Sequence, residues 1–171
     1  MPLRRRTWAP CGCTPVLKHK GRHREKVSTI AALTISPKKQ HLGLYCTSLL
    51  NESIDHTVVA WFLRQLLRHL RGPIILVWDR GSTHHGPEIR KVLEDNPRLT
   101  IESFPAYAPD LNPVEYLWGH LKWNRLNNFA PSDVRELLEQ LHEEIRNIIP
   151  DQQRLRSFIE ASGLHWLSDH Q

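Results

Sequence analysis

The sequence predicts an α/β domain, a mixed sheet with flanking helices, on three observations. Two β-rich runs, Val27–Thr34 and Leu42–Leu50, are joined through Ser36-Pro37-Lys38-Lys39-Gln40, a link short enough for an antiparallel hairpin. Apolar residues at Val58, Val59, Phe62, Leu63, Leu66, Leu67 and Leu70 then follow a helical period that Gly72-Pro73 stops, and Ile74-Ile75-Leu76-Val77-Trp78 comes next as a strand. A helix delivered into a strand is an α/β signal, and the hairpin before it makes the sheet mixed. From Pro113 onward the remaining periods are helical.

Each element has a local reason. Met1–Thr14 is rich in arginine and proline with Trp8 as an aromatic anchor, and reads as an extended or looping basic segment; Pro15-Val16-Leu17 fits a short edge strand. The first long helix begins at a cap near Asp55. The run 74–78 reads as a buried strand, with Asp79 emerging at its C-terminal end. A short helix is expected from Gly86-Pro87 to Leu93 and a strand over Leu99–Phe104. Three helices follow: about 113 to 126 with Asn112 as cap and Pro113 in its first turn, about 132 to 148 from Pro131-Ser132, and about 151 to 161. Leu164-His165-Trp166-Leu167 either docks or frays. Trp61 and Trp118 are expected in the core. One domain spanning 1–171 results, with a core of about 14–126 and a helical extension of about 131–161.

Composition narrows the class. The 171 residues include 23 Lys and Arg against 18 acids, a formal +5 that suits a polyanion partner or a solvated basic face. Basic residues gather at Arg4-Arg5-Arg6, at Lys18 through Lys26, and at Lys122 with Arg125. Cys11, Cys13 and Cys46 make neither a disulfide framework nor a zinc knuckle, so a reducing compartment is expected. No apolar run nears the roughly 20 residues that span a bilayer, and no signal sequence follows the N-terminal charge. The expectation is a cytoplasmic protein, with nucleoid association in view, and no membrane partner.

Two acids stand out. Asp79 ends a strand where open α/β sheets place ligand sites, and Glu115 falls in the first turn of a helix, mounted rigidly. Two such carboxylates form a half-shell for Mg²⁺. Turn formation explains Asp79 equally well, and ordinary capping chemistry explains Glu115. Asp110 and Asn112 fit turn and cap roles better than ligand roles. For Tyr107, packing against its turn competes with stacking on a base.

The strings Ile75-Leu76-Val77-Trp78-Asp79 with His84, and Phe104-Pro105-Ala106-Tyr107-Ala108-Pro109-Asp110-Leu111-Asn112-Pro113-Val114-Glu115 with Trp118 and Lys122, closely resemble the catalytic domain of mariner-related insertion-sequence transposases. Arg6-Thr7-Trp8-Ala9-Pro10 through Gly12, Thr14 and Pro15 fits the same pattern, so the resemblance covers most of 4–126. It implies a ribonuclease H-like fold in the DDE superfamily, with three carboxylates holding two divalent metals, Mg²⁺ or Mn²⁺, for DNA cleavage and strand transfer. By that resemblance Asp79 is the second acid and Glu115 the third. Arg80, His84, Lys122 and Arg125 become candidate substrate contacts.

The pattern is incomplete. The family's first Asp lies on a central strand upstream of the segment matching Arg5-Arg6-Thr7-Trp8, and no Asp occurs before Asp55. The resemblance therefore implies a domain missing its first central strand and inactive alone. A separately encoded N-terminal half would be one partner, DNA another, and a homodimer a third. A non-catalytic nucleic-acid-binding or regulatory remnant of a mobile element is the alternative.

Overall fold

The computed structural model describes residues 10–13, 25–36, 41–127 and 129–164. The expected edge strand at Pro15-Val16-Leu17 and the tail from His165 lie outside them. Strands β1 (Val27–Ser36) and β2 (His41–Leu50) form the expected antiparallel hairpin, with Val27 opposite Leu50 and Ser36 opposite His41. Its open end is tied by Asn51, whose side chain accepts from the Lys26 N–H at 3.0 Å while its own N–H donates to the Lys26 carbonyl.

Helix α1 (His56–His69) starts where Asp55 accepts hydrogen bonds from the Thr57 and Val58 N–H groups at 2.9 and 3.0 Å. Its C-terminal carbonyls are satisfied from a distance in sequence: the Arg98 guanidinium donates to the carbonyls of Leu67, Leu70 and Gly72. A parallel unit follows, β3 (Ile74–Trp78), α2 (Pro87–Glu94) and β4 (Leu99–Ser103), with Ile74 beside Leu99 and Trp78 beside Ser103. The last three helices are α3 (Pro113–His120), α4 (Val134–Ile148) and α5 (Gln152–Ala161). The cap of α4 is Asp133, one residue beyond the expected Ser132. The helix expected to run to 126 instead changes winding: Leu121–Arg125 is a π turn, closed by the Leu126 N–H on the Leu121 carbonyl at 2.8 Å.

Two apolar clusters organise these elements. In one, Leu42 and Leu44 of β2 pack with Leu117 and Leu121, with Leu141, Ile145 and Ile148 of α4, and with Leu155, Phe158 and Ile159 of α5; Val27, Ala31 and Leu33 of β1 lie against it. The other joins Val59, Ala60, Leu63 and Leu67 of α1 to Ile89 and Val92 of α2, and takes Ile30 from the opposite face of β1 together with Ile74, Leu76 and Trp78 of β3. Both strand pairs therefore lay one face on α1 and α2, and β1–β2 carries α3, α4 and α5 on the other.

The strands form two separate two-stranded sheets among the described residues, not one mixed sheet. β1 and β3 pack on the same cluster without sharing a ladder, so each has one edge that no described strand pairs. The buried-strand expectation for 74–78 is corrected as well: Ile75 is 71% and Val77 44% exposed, because no described element covers that face of β3. Trp61 is 47% exposed on α1, outside the core, whereas Trp118 packs against the first cluster. The outer edge of β2 is closed differently. The Gln152 side-chain amide accepts from the Leu42 N–H and donates to the Leu42 carbonyl, both at 2.9 Å.

Candidate active site at the carboxyl end of the parallel strands

Asp79 follows β3 directly and is mostly exposed. Two donors converge on its Oδ1: the Gly81 N–H at 2.7 Å and His84 Nε2 at 3.0 Å. An Asp side chain bonding to the backbone two residues on is a common turn device, and it requires close approach. A Cβ on Gly81 would sit 2.8 Å from that same oxygen. The 3₁₀ turn Ser82–His84 then brings the His84 ring over Trp78, stacked with centroids 4.4 Å apart and planes 16° from parallel.

Burial pushes the His84 imidazole below its ordinary pKa, against the opposing pull of Asp79. The contact is thus a hydrogen bond from a neutral Nε2–H at neutral pH, since Oδ1 can only accept. Ile74, Leu76 and Trp78 face α1 and α2, so Ile75 and Val77 point to the opposite face of β3, which is exposed, and Asp79 continues that alternation.

Glu115 rides in the first turn of α3 as expected, exposed to solvent. The Asn112 side chain caps that helix by accepting from the Val114 N–H at 3.1 Å, and Pro113 occupies the first turn without losing a needed donor. Asp110 lies in the 3₁₀ turn Pro109–Leu111, and its backbone carbonyl accepts from the Tyr116 hydroxyl at 3.2 Å. The Phe104 N–H donates to the Trp78 carbonyl at 2.9 Å, and the loop that follows runs from the end of β4 to α3.

Arg80 is exposed beside Asp79, and Lys122 is exposed in the π turn. Arg125 is engaged within the fold: its Nε pairs with Glu144 on α4, a buried carboxylate whose other oxygen accepts from Gln140. His120 is held below its ordinary pKa by burial and by Arg154 and Arg125.

The donor set suits a hard cation in kind but not in number. Asp79 and Glu115 offer carboxylate oxygens, the ligands Mg²⁺ and Mn²⁺ prefer. Yet among the described residues no group of three or more His, Cys, Asp or Glu side chains could hold a metal ion. The described residues alone do not fit the ion. Sequence reasoning singled out both acids and placed them at a strand end and in a first helical turn, but did not read their surroundings. Gly81, two residues after Asp79, was the available signal for the turn; nothing in the string announced Glu144 as the partner of Arg125.

Residues 1–147 match the profile of the family described as DDE superfamily endonuclease. A Transposable element Tcb1 transposase of Caenorhabditis briggsae is 22% identical over 141 residues, covering 82% of this chain and 50% of that protein. An Insertion element IS630 uncharacterized 39 kDa protein of Shigella sonnei is 29% identical over 77 residues, 45% of this chain and 22% of that one. The chain thus spans half the length of one of these relatives and less than a quarter of the other. Among solved structures, a Mos1 transposase paired-end complex with left transposon end superposes with a TM-score of 0.57 at 19% identity, over 95% of this chain and 51% of that chain. A Mos1 mariner paired end complex with Mn superposes equally well, over 97% of this chain and 53% of the other. The α/β fold is shared with these structures, and the family match over most of its length makes this chain a member of the DDE superfamily endonucleases.

Proposed function

We propose that this chain is part of a transposase catalytic domain, supplying Asp79 and Glu115 to a divalent-metal site for DNA cleavage and strand transfer that it does not complete alone. The observation that supports the proposal is that two strand pairs packed on one apolar cluster are not joined among the described residues. β1 and β3 both pack on α1 and α2, yet share no hydrogen bonds. Asp79 stands at the carboxyl end of β3, and Glu115 lies in the first turn of α3, which the loop from the same end of β4 enters. A strand inserted between β1 and β3 would satisfy both edges, join the two sheets into one, and could deliver a further carboxylate beside Asp79. The curated Tcb1 relative is named a transposase, which supports DNA as the substrate. Arg80, His84 and Lys122 are the proposed substrate-side contacts, and Arg125 can join them only through its remaining nitrogens. The absence of a three-residue ligand group among the described residues favours a second reading, a DNA-binding remnant without catalysis.

Complementation separates the two. The chain would be co-expressed with an N-terminal transposase half carrying a strand that ends in Asp, and with the same half bearing Ala there. The Asp half should raise thermal stability and add a metal-dependent increment that EDTA removes; the Ala half should give the stability alone. Asp79→Ala should abolish metal binding in calorimetry while sparing the metal-free fold. Metal-dependent cleavage of element-end DNA by the unaided chain, lost in both Asp79→Ala and Glu115→Ala, would contradict the proposal. No gain from either half would favour the remnant.

A further inference from the structure

The loop between β4 and α3 presents an aromatic ring that packing does not explain. Tyr107 is 103% exposed, so the expected packing against its own turn is absent. Its φ is +58°, a left-handed conformation that bulky side chains rarely adopt and that glycine or asparagine would take without strain. Turn chemistry therefore argues against tyrosine here, and core formation does not argue for it.

The surrounding chain holds the residue in place. Pro105 and Pro109 fix backbone angles two residues to either side. The Leu111 and Asn112 N–H groups close the next turn on the Ala108 and Pro109 carbonyls at 3.2 and 2.9 Å, and the Tyr116 hydroxyl pins Asp110. Strained residues that persist under such restraint cluster at ligand clamps. A flat ring with two side-chain torsions offers contact area at low entropic cost. The loop leaves the carboxyl end of β4 and enters the helix turn bearing Glu115, at the end of the parallel pair where Asp79 also stands.

We propose that Tyr107 stacks on an unpaired nucleotide base of a DNA strand lying at the carboxylates. This rests on DNA being the substrate, as argued for the proposed function. Stacking needs an exposed π-face and an unstacked base, and tolerates any base identity.

The test uses the chain itself and two fluorescent duplexes, one blunt and one with a short single-stranded tail containing 2-aminopurine. Tyr107→Ala and Tyr107→Leu should weaken binding of the tailed duplex by about 5- to 150-fold, the range set by one base–aromatic stack. Both should leave blunt-duplex binding unchanged and abolish 2-aminopurine quenching, whereas Tyr107→Phe should retain affinity and quenching. Tyr107→Gly should melt at or above the wild-type temperature while losing the tail preference, which separates a lost contact from a lost fold. Equal tailed-duplex affinity in wild type and Tyr107→Ala overturns the stacking assignment alone. Retention by Tyr107→Leu also overturns it, leaving apolar bulk as the cause. Failure of the wild-type chain to bind either duplex overturns both this proposal and the DNA reading on which it rests.

Discussion

His84 is held by a ring on one side and a carboxylate on the other, and the two act on its proton in opposite directions. Burial against Trp78 disfavours the imidazolium, and the proximity of Asp79 only partly restores it, so its folded pKa lies below the ordinary histidine value. A depressed folded value means the unfolded chain takes up the proton first. The stability is fully present above about pH 6.5 and is lost as pH falls through the folded value. His120 is shifted in the same direction. The melting temperature should therefore fall between pH 7 and pH 5, and His84→Gln should flatten that decline; an unchanged slope in thermal melts would show that other groups set it. Gly86 gives a second residue-scale test. A Cβ there would meet His56 Cγ at 2.8 Å, so Gly86→Ala should destabilise by about 1–3 kcal/mol, and a His56→Ala background should recover much of the loss. At this scale the sequence was legible where chemistry is local. Asp79 at a strand end, Asn112 as a cap and Glu115 in a first turn all depend on near neighbours, whereas the Trp78–His84 stack depends on how the Ser82–His84 turn folds back.

Among the elements, α1 depends on a residue 28 positions beyond its C-cap Leu70. Arg98 lies just before β4 and donates to three carbonyls at the end of α1, tying the helix to the parallel unit. Arg98→Ala should cost about 2–3 kcal/mol in denaturant unfolding, and Arg98→Lys should recover little, because one ammonium cannot reproduce a planar fork. Gln152 plays a comparable role for β2. Removing its amide with Gln152→Ala leaves the Leu42 N–H and carbonyl unpaired at a sheet edge, an expected loss of about 1–3 kcal/mol by the same measurement. The order and type of the elements were readable because their apolar periods are clear. Their neighbours were not. The run Ile74–Trp78 specifies a strand, but its unbroken hydrophobicity concealed that only one face is covered, and Trp61 sits at a helical spacing that suited burial yet points outward.

For the molecule as a whole, charge and topology set different expectations. No helix among the described residues is long and apolar enough to cross a membrane. A formal charge of +5 favours contact with phosphates without reading bases, so affinity for duplex DNA should drop about tenfold or more from about 50 to about 200 mM salt. Titration of matched and scrambled terminal repeats checks this; strong preference for the matched duplex with little salt response would point to base readout instead. The expected mixed sheet was legible as a set of strands but not as an assembled sheet. Pairing between β1 and β3 is a long-range property, and among the described residues the two strand pairs stay separate.

The π turn at Leu121–Arg125 carries a consequence for chain length. Closing a turn with five residues gives the helix one residue more than an α-helical path over the same stretch would use, the signature of a single-residue insertion. Deleting one residue between Leu121 and Arg125 should let the winding run on regularly. Because the turn itself absorbs the extra residue, the deletion should leave the Arg125 guanidinium facing α4 and its pair with the buried Glu144 intact. The shortened protein should therefore show a more regular helix by NMR and unfold at no lower denaturant than the parent; a lower midpoint that Glu144→Leu restores would show instead that the extra residue aims Arg125 at α4.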